Sequence, residues 1–143
     1  MTVVRSLSLV AVLVGGLAAC GEEAEPAAPA WEEPASYTYT LTSSEGERAL
    51  IGTFRITVRG GEVTKAVGLD DSARRVVRQL PGEVPTLGAL LEELEQARGD
   101  DADTAQARYA ADGHPTSIEL DWEKNAVDDE VRYDITDYEP AAG

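Results

Sequence analysis

Residues 104–138 read TAQARYAADGHPTSIELDWEKNAVDDEVRYDITDY, and this stretch decides the fold. Three runs within it alternate apolar and polar side chains, which is the period of a strand with one buried face. Asp112-Gly113 predicts the first turn, and residues 123–130 form an acidic loop before the last run. The side chains expected to face inward are Ala105, Ala107, Tyr109, Ile118, Leu120, Trp122, Val131, Tyr133 and Ile135.

The residues that precede this stretch predict three more strands. The same period of two runs through residues 36–43, 50–59 and 62–69. Gly60-Gly61 lies between the last two runs and is a hairpin signal, because two-residue turns need positive φ. In the third strand we expect Val63, Val67 and Leu69 on the buried face.

One amphipathic helix is expected after the third strand. Leucines at helical spacing define its buried side, and Thr86 is a candidate N-cap. Gly99 is expected to end the helix, and residues 73–80 before it are ambiguous between a fourth strand and an irregular crossing. The leucines are Leu87, Leu90, Leu91 and Leu94, and the glutamates expected to face solvent are Glu92, Glu93 and Glu95.

The order of these elements predicts an α+β fold. We expect an antiparallel β-sheet of about six strands in the order β-β-β-α-β-β-β, with one amphipathic helix packed on one face. The domain is expected to span residues 36–139, followed by a short tail at 140–143.

The first twenty residues predict export and lipidation. Arg5 precedes a short apolar run, which is typical of a signal peptide at 1–19 rather than of a membrane-spanning helix. Leu17-Ala18-Ala19-Cys20 resembles the lipobox of bacterial lipoproteins, which implies a lipid anchor on Cys20. Two acyl chains are enough for stable anchoring. Cys20 is also the single cysteine of the chain, so no intrachain disulfide can form.

Residues 20–35 follow as a tether rich in Pro, Ala and Glu. Within it, Trp31 is expected to pack on the sheet, the alternative being an exposed contact. We expect a domain on the outer face of the cytoplasmic membrane, facing the cell wall or the extracellular space. The formal net charge of -15 argues against binding nucleic acid or anionic lipid through the protein surface.

Several motifs together resemble one family, the actinobacterial lipoproteins of domain of unknown function 6174. The resemblance covers residues 31–139 and implies a fold and a location but no activity. Relatives often have Tyr at the position of His114 and a cysteine pair where this chain has Ser43-Ser44. The matching segments are the lipobox, Tyr37–Leu41, the Val58–Val63 hairpin, Pro85-Thr86-Leu87, Gly113–Ile118 and Asn125–Glu130.

The residue inventory argues against an enzyme. His114 is the single histidine and precedes Pro115 in a turn, which leaves little scope for nucleophilic catalysis. The sequence lacks the several His or Cys ligands that zinc needs, and it has no glycine-rich phosphate loop, so we expect no cofactor, no metal and no catalytic residue. Hydrolysis by paired carboxylates is the least favoured alternative.

The acidic loop is the candidate site, and three interpretations compete for it. It could solvate a hairpin, dock a basic partner, or hold calcium through hard oxygen ligands. We expect a non-enzymatic interaction module for an unidentified protein or envelope component; the alternative is a weak divalent-cation or small-ligand binder. The candidate residues are Asp121, Glu123, Asn125, Asp128, Asp129 and Glu130.

Overall fold

The computed structural model describes residues 30–142 and contains six strands and two α-helices. Helix α1 spans Asp71–Gln79 and helix α2 spans Leu87–Gly99, with a 3-10 turn at Pro81–Glu83 between them. Both helices lie between the third and fourth strands in the sequence. The strands are β1 Tyr37–Ser44, β2 Gly52–Arg59, β3 Glu62–Gly68, β4 Thr104–Tyr109, β5 Pro115–Asp121 and β6 Val131–Pro140.

The strands form one antiparallel sheet in the order β3-β2-β1-β6-β5-β4. The first and last of these strands along the chain, β1 and β6, are therefore neighbours at the centre of the sheet. The predicted α+β class and the six-stranded antiparallel sheet are confirmed. The predicted single helix is wrong, because two helices pack on the sheet.

The extra helix, α1, occupies the stretch that the sequence left as a strand or an irregular crossing. Asp70 caps it by accepting a hydrogen bond from the Ala73 N–H at 2.8 Å. Ala73 and Val76 are buried at a spacing of three, while arginines take the solvent side. An N-cap aspartate followed by this spacing is a helix signal.

Helix α1 lies close to the sheet because two glycines leave room for it. It packs against β2 and β3. A Cβ atom at Gly68 would lie 2.3 Å from the Arg74 backbone nitrogen, and one at Gly52 would lie 2.6 Å from that of Ala73. Any side chain at these positions would push the helix away from the strands.

Helix α2 begins as predicted and packs against β4 and β5. Thr86 is its N-cap and accepts from the Ala89 N–H at 3.1 Å. Its buried face consists of Leu87, Leu90, Leu94 and Ala97. Leu91 packs against the core as expected but is only partly buried. The expected face is wrong for Glu93, which is half-buried rather than solvated.

Strand β3 also departs from its predicted face. Its register against β2 shifts between Thr57 and Val58, which leaves an extra residue in β3. Ala66 then pairs with buried Ile56, whereas Val67 and Leu69 turn outward and are 41% and 51% exposed. Strict alternation of the two faces, without the bulge, predicts both side chains on the buried face.

Three buried tyrosines fill the centre of the sheet beneath the helix layer. Tyr37 and Tyr39 come from β1 and Tyr133 from β6, and each is at most 2% exposed. They lie in one apolar core with the inward residues of the other strands and both helices. The predicted inward row of Val131, Tyr133 and Ile135 is confirmed.

The opposite face of the sheet is polar. Threonines line β1 and β2, and Arg132 bridges Glu119 at 2.5 Å and Asp134 at 3.0 Å. These hydrogen bonds raise the pKa of Arg132, the bond to Asp134 first among them. The helices and the core therefore lie on one side only.

Asp70 generates a stability prediction, because its carboxylate joins α1 to the sheet. One oxygen caps the helix, and the other accepts from the Thr53 N–H at 2.8 Å. Partial desolvation raises the pKa of Asp70, but these N–H donors outweigh it and hold the pKa below its usual 3.8. We expect Asp70→Asn to cost about 1–3 kcal/mol of unfolding free energy at neutral pH.

The pH dependence provides the check. When folding lowers the pKa of a carboxyl group, its ionised form stabilises the fold at pH values above the unfolded-state pKa. This stabilisation is lost as the pH falls through the folded-state pKa. The stability gap between the native chain and Asp70→Asn should therefore be constant at neutral pH and shrink below 3.8. Denaturant unfolding at several pH values measures it; a gap that is unchanged in acid would contradict the assignment.

Candidate functional site

The predicted acidic loop, residues 123–130, lies in the connection between β5 and β6 and has a defined backbone. The Asp129 carboxylate accepts from the Glu123 N–H at 2.8 Å, and the Ala126 N–H donates to the Glu123 carbonyl at 2.7 Å. Asp128 adopts a positive φ of 87°. The loop is thus a folded turn held partly by one of its own carboxylates.

The β1–β2 loop lies directly against this acidic loop. The Glu47 N–H donates to the Asp128 carbonyl at 3.3 Å. A Cβ atom on Gly46 would lie 2.4 Å from the Glu130 carbonyl oxygen, so the two backbones touch. This contact brings Glu45 and Glu47 beside the acidic loop.

A third acidic segment comes from the end of α2. Residues 100–103 connect α2 to β4, and the Asp103 carboxylate accepts from the Lys124 N–H at 2.5 Å. Because β4 starts where β5 ends, this segment reaches the same end of the sheet. It adds Asp100, Asp101 and Asp103.

These three segments form what we call the acidic tip, residues 45–47, 100–103 and 121–130. They contribute two, three and five acidic side chains respectively, against one base, Lys124. Val127 lies in the middle of the last segment and is 84% exposed. The tip is therefore an anionic surface with one apolar side chain at its crest.

The structure brings the six predicted site residues together at the acidic tip, but their exposure to solvent differs. Asp121 and Asp129 are half-buried, whereas the other four are exposed to solvent, namely Glu123, Asn125, Asp128 and Glu130. Sequence reasoning missed the two neighbouring segments. The run Asp100-Asp101-Ala102-Asp103 is visible in the sequence, but only the strand pairing shows that it meets the loop.

Two carboxylate oxygens in the tip are shielded from solvent. Asp121 Oδ1 and Asp129 Oδ1 are buried and have no hydrogen-bond partner among residues 30–142. Carboxylate oxygens in that state carry a desolvation cost. No group of three or more His, Cys, Asp or Glu side chains that could hold a metal ion occurs in this described part of the chain.

A charged network supports the tip from the core side. Glu93 on α2 accepts from Tyr133 Oη at 2.8 Å and from Arg48 at 3.4 Å. The Arg48 guanidinium also lies 5.2 Å from the centre of the Tyr133 ring, a cation–π distance. Burial is the main cause of the raised pKa of Tyr133. The Arg48 guanidinium is therefore paired with Glu93 and Tyr133, below the carboxylates of the tip.

The other end of the sheet receives the incoming chain. Trp31 packs against the core with its ring centre 6.3 Å from that of Tyr138, which confirms the expected packing. Glu33 accepts hydrogen bonds from Tyr37 Oη and from the Gly88 N–H at the start of α2. We call this the entry end, because β1 starts there and the acidic tip lies at the opposite ends of the strands.

His114 lies at the entry end in a structural setting. Its Nδ1 is 2.5 Å from Asp112 Oδ1, and its ring stacks on Tyr138 with centres 4.2 Å apart. The His114 backbone N–H is the main cause of the lowered pKa of Asp112. These contacts hold the turn before β5 and leave the imidazole packed on an aromatic ring.

One comparison with known proteins identifies a family. The model of a family of unknown function, DUF6174, matches residues 23–140. The chain belongs to this family. No curated protein and no solved structure matches it. DUF6174 membership supports the predicted domain resemblance and brings no activity with it.

Two sequence predictions concern membrane attachment. The predicted lipidation site Cys20 and the predicted signal peptide at 1–19 lie outside the described residues. Within residues 30–142, no helix is long and apolar enough to cross a membrane.

Proposed function

We propose that this DUF6174 chain is a lipid-anchored, non-enzymatic interaction module whose acidic tip docks a basic protein or envelope component. The proposal places the domain on the outer face of the cytoplasmic membrane, attached through Cys20, as in actinobacterial lipoproteins. The observation that carries it is the convergence of three acidic segments at one end of the sheet, around exposed Val127.

The position of the tip supports this role. The chain enters the domain through Trp31 and Glu33 at the entry end, and the tip lies about 25 Å away along the strands, at about 3.3 Å per residue. A domain tethered through its N-terminal segment would therefore present the tip away from the attachment point. Loops carried on a rigid sheet are common binding elements.

The charge of the tip favours a basic partner. Most of its carboxylates face water, and the ordered base nearby, Arg48, is engaged by Glu93 and Tyr133. Charges of one sign on a surface raise association rates for partners of the opposite sign and repel similar surfaces. Val127 adds apolar contact at the centre, where interfaces bury their core.

The partner prediction compares two variants that lose the same charge. Asp128→Asn with Glu130→Gln removes two exposed carboxylates from the tip, and Glu32→Gln with Glu92→Gln removes two exposed carboxylates elsewhere. In pull-downs from detergent-solubilised membranes, the native chain and the control should retain a partner that the tip variant loses. Moderate salt should release that partner, because exposed charges are screened within about 10 Å at 0.1 M.

A defined probe makes the same comparison quantitative. The peptide acetyl-(Lys-Gly)5-amide is cationic, and its glycines disfavour strand pairing. Its Kd should rise about threefold to tenfold in the tip variant, as expected for two exposed charges, and less in the control. Equal weakening in both variants would mean that net charge, not the tip, attracts the peptide. Unchanged circular dichroism spectra establish that both variants fold.

The anchor prediction concerns Cys20. Cys20→Ser removes the thiol that would carry the lipid and should abolish processing and membrane retention. Mass spectrometry of the native chain should show acyl mass on Cys20 and cleavage before it. A native membrane-extracted chain with a free Cys20 thiol would contradict the anchor but leave the tip proposal standing.

The second candidate function is weak cation binding, which Asp121 Oδ1 and Asp129 Oδ1 favour. Both oxygens are buried without a hydrogen-bond partner in the described part of the chain. Calcium accepts carboxylate and backbone carbonyl oxygens in flexible geometry, so two carboxylates plus carbonyls could hold it weakly. Protein docking is preferred because most of the tip carboxylates face water.

A calcium titration separates this candidate from docking. If a cation binds, millimolar calcium should raise the native Tm, because a ligand bound only to the folded state stabilises it. Asp121→Asn with Asp129→Asn should remove the rise, and Glu32→Gln with Glu92→Gln should keep it. A native Tm that calcium does not change would eliminate the cation function.

A further inference from the structure

Strand β3 forms an edge of the sheet with a free outer side. It pairs with β2, and no strand among residues 30–142 pairs with its other side. The Leu69 N–H donates to the Thr53 carbonyl, so alternation of the antiparallel ladder leaves the backbone groups of Ala66 and Gly68 pointing away from β2. Unpaired strand groups are a template for another strand.

Few of the features that usually prevent an edge strand from pairing with another chain are present in β3. The strand is seven residues long, contains no proline, and carries one lysine, Lys65. Val67 in this strand and Leu69 directly after it are exposed apolar side chains beside the free edge. The bulge near Thr64 affects only the first half of the strand.

A groove of about 520 Å³ opens beside the start of β3. Val63, Val84 and Pro85 contribute apolar walls, and Pro81–Glu83 form a rim that is exposed to solvent. The groove lies at the entry end, where α2 begins, and shares no residue with the acidic tip. Its position beside β3 lets a side chain of an added strand reach it.

The charge of the groove selects for a cation. Glu62 and Glu83 are both exposed and line it, and the described lining residues include no base. A Lys or Arg side chain fits such a site, because its methylenes cover apolar walls while its charged end meets carboxylates. The acidic net charge of the whole chain acts in the same direction.

We propose that the β3 edge binds an extended segment of a partner protein, which adds a strand to the sheet and inserts one Lys or Arg side chain between Glu62 and Glu83. Backbone hydrogen bonds would supply affinity, and the groove would supply specificity, as in other strand-addition sites. This surface is independent of the acidic tip, so either proposal can fail without the other.

The test titrates three hexapeptides into the full chain in non-ionic detergent. They are acetyl-Val-Thr-Val-Lys-Val-Thr-amide, the same peptide with Glu for Lys, and the Lys peptide with alternate backbone nitrogens methylated. The Lys peptide should bind about fivefold to tenfold more tightly than the Glu peptide, as expected for a charge meeting two carboxylates. Methylation should abolish binding, because it removes strand hydrogen bonds.

Variants locate the binding. Glu62→Gln with Glu83→Gln should remove the preference for Lys over Glu, and Glu32→Gln with Glu92→Gln should preserve it. Amide NMR shifts should fall on residues 62–69. Any of three outcomes would overturn the proposal: no preference in the native chain, an unchanged preference in the groove variant, or displacement of the Lys peptide by an equal concentration of n-butylamine, which indicates a small-amine site.

Discussion

The structure depends on how its central strands are joined to the layer above them. Helix α1 packs against β2 and β3, and α2 packs against β4 and β5, on either side of the central pair β1 and β6. Three buried tyrosines lie on that central pair, and each hydroxyl bonds the layer above. Tyr37 accepts from the Leu87 N–H at 2.8 Å, Tyr39 donates to the Pro85 carbonyl at 2.5 Å, and Tyr133 donates to Glu93. Each tyrosine combines a large buried ring with a satisfied polar end, which suits the boundary between two layers.

This arrangement helps a small domain, in a chain with a single cysteine, to stay folded without an intrachain disulfide. Burial raises the pKa of Tyr37 and Tyr39, so both hydroxyls stay protonated and can keep donating. Tyr37 also donates to Glu33, which extends the same network to the incoming chain. The first residues of the domain, the start of α2 and the central strand are therefore fixed together at the entry end. Disorder of the segment around Trp31 would remove the Glu33 carboxylate from its two donors, the Tyr37 hydroxyl of β1 and the Gly88 N–H of α2.

Much of the fold could be predicted from the alternation in the strands and from the Thr86 cap, because both are local signals. Helix α1 was missed although its Asp70 cap is a local signal, because the helix is short and buries only two side chains. The other failures were not local. The bulge in β3 reversed the faces of Val67 and Leu69, since one extra residue changes every later position. Glu93 is half-buried because its carboxylate bonds Tyr133 and Arg48, which are distant in sequence.

The candidate site shows the same division between local and distant information. Composition alone marks residues 121–130 as acidic, but a short acidic hairpin is ordinary solvated surface. What distinguishes this one is that β1 and β6 are adjacent and antiparallel, so the β1–β2 loop must end beside the β5–β6 loop. The antiparallel pairing of β4 and β5 brings residues 100–103 to the same place. Repulsion among these carboxylates destabilises the fold, and Arg48 lies beneath them bound to Glu93. A surface that concentrates like charges gains stability when a basic partner binds to it, and this is the physical link between the topology and the docking that we propose.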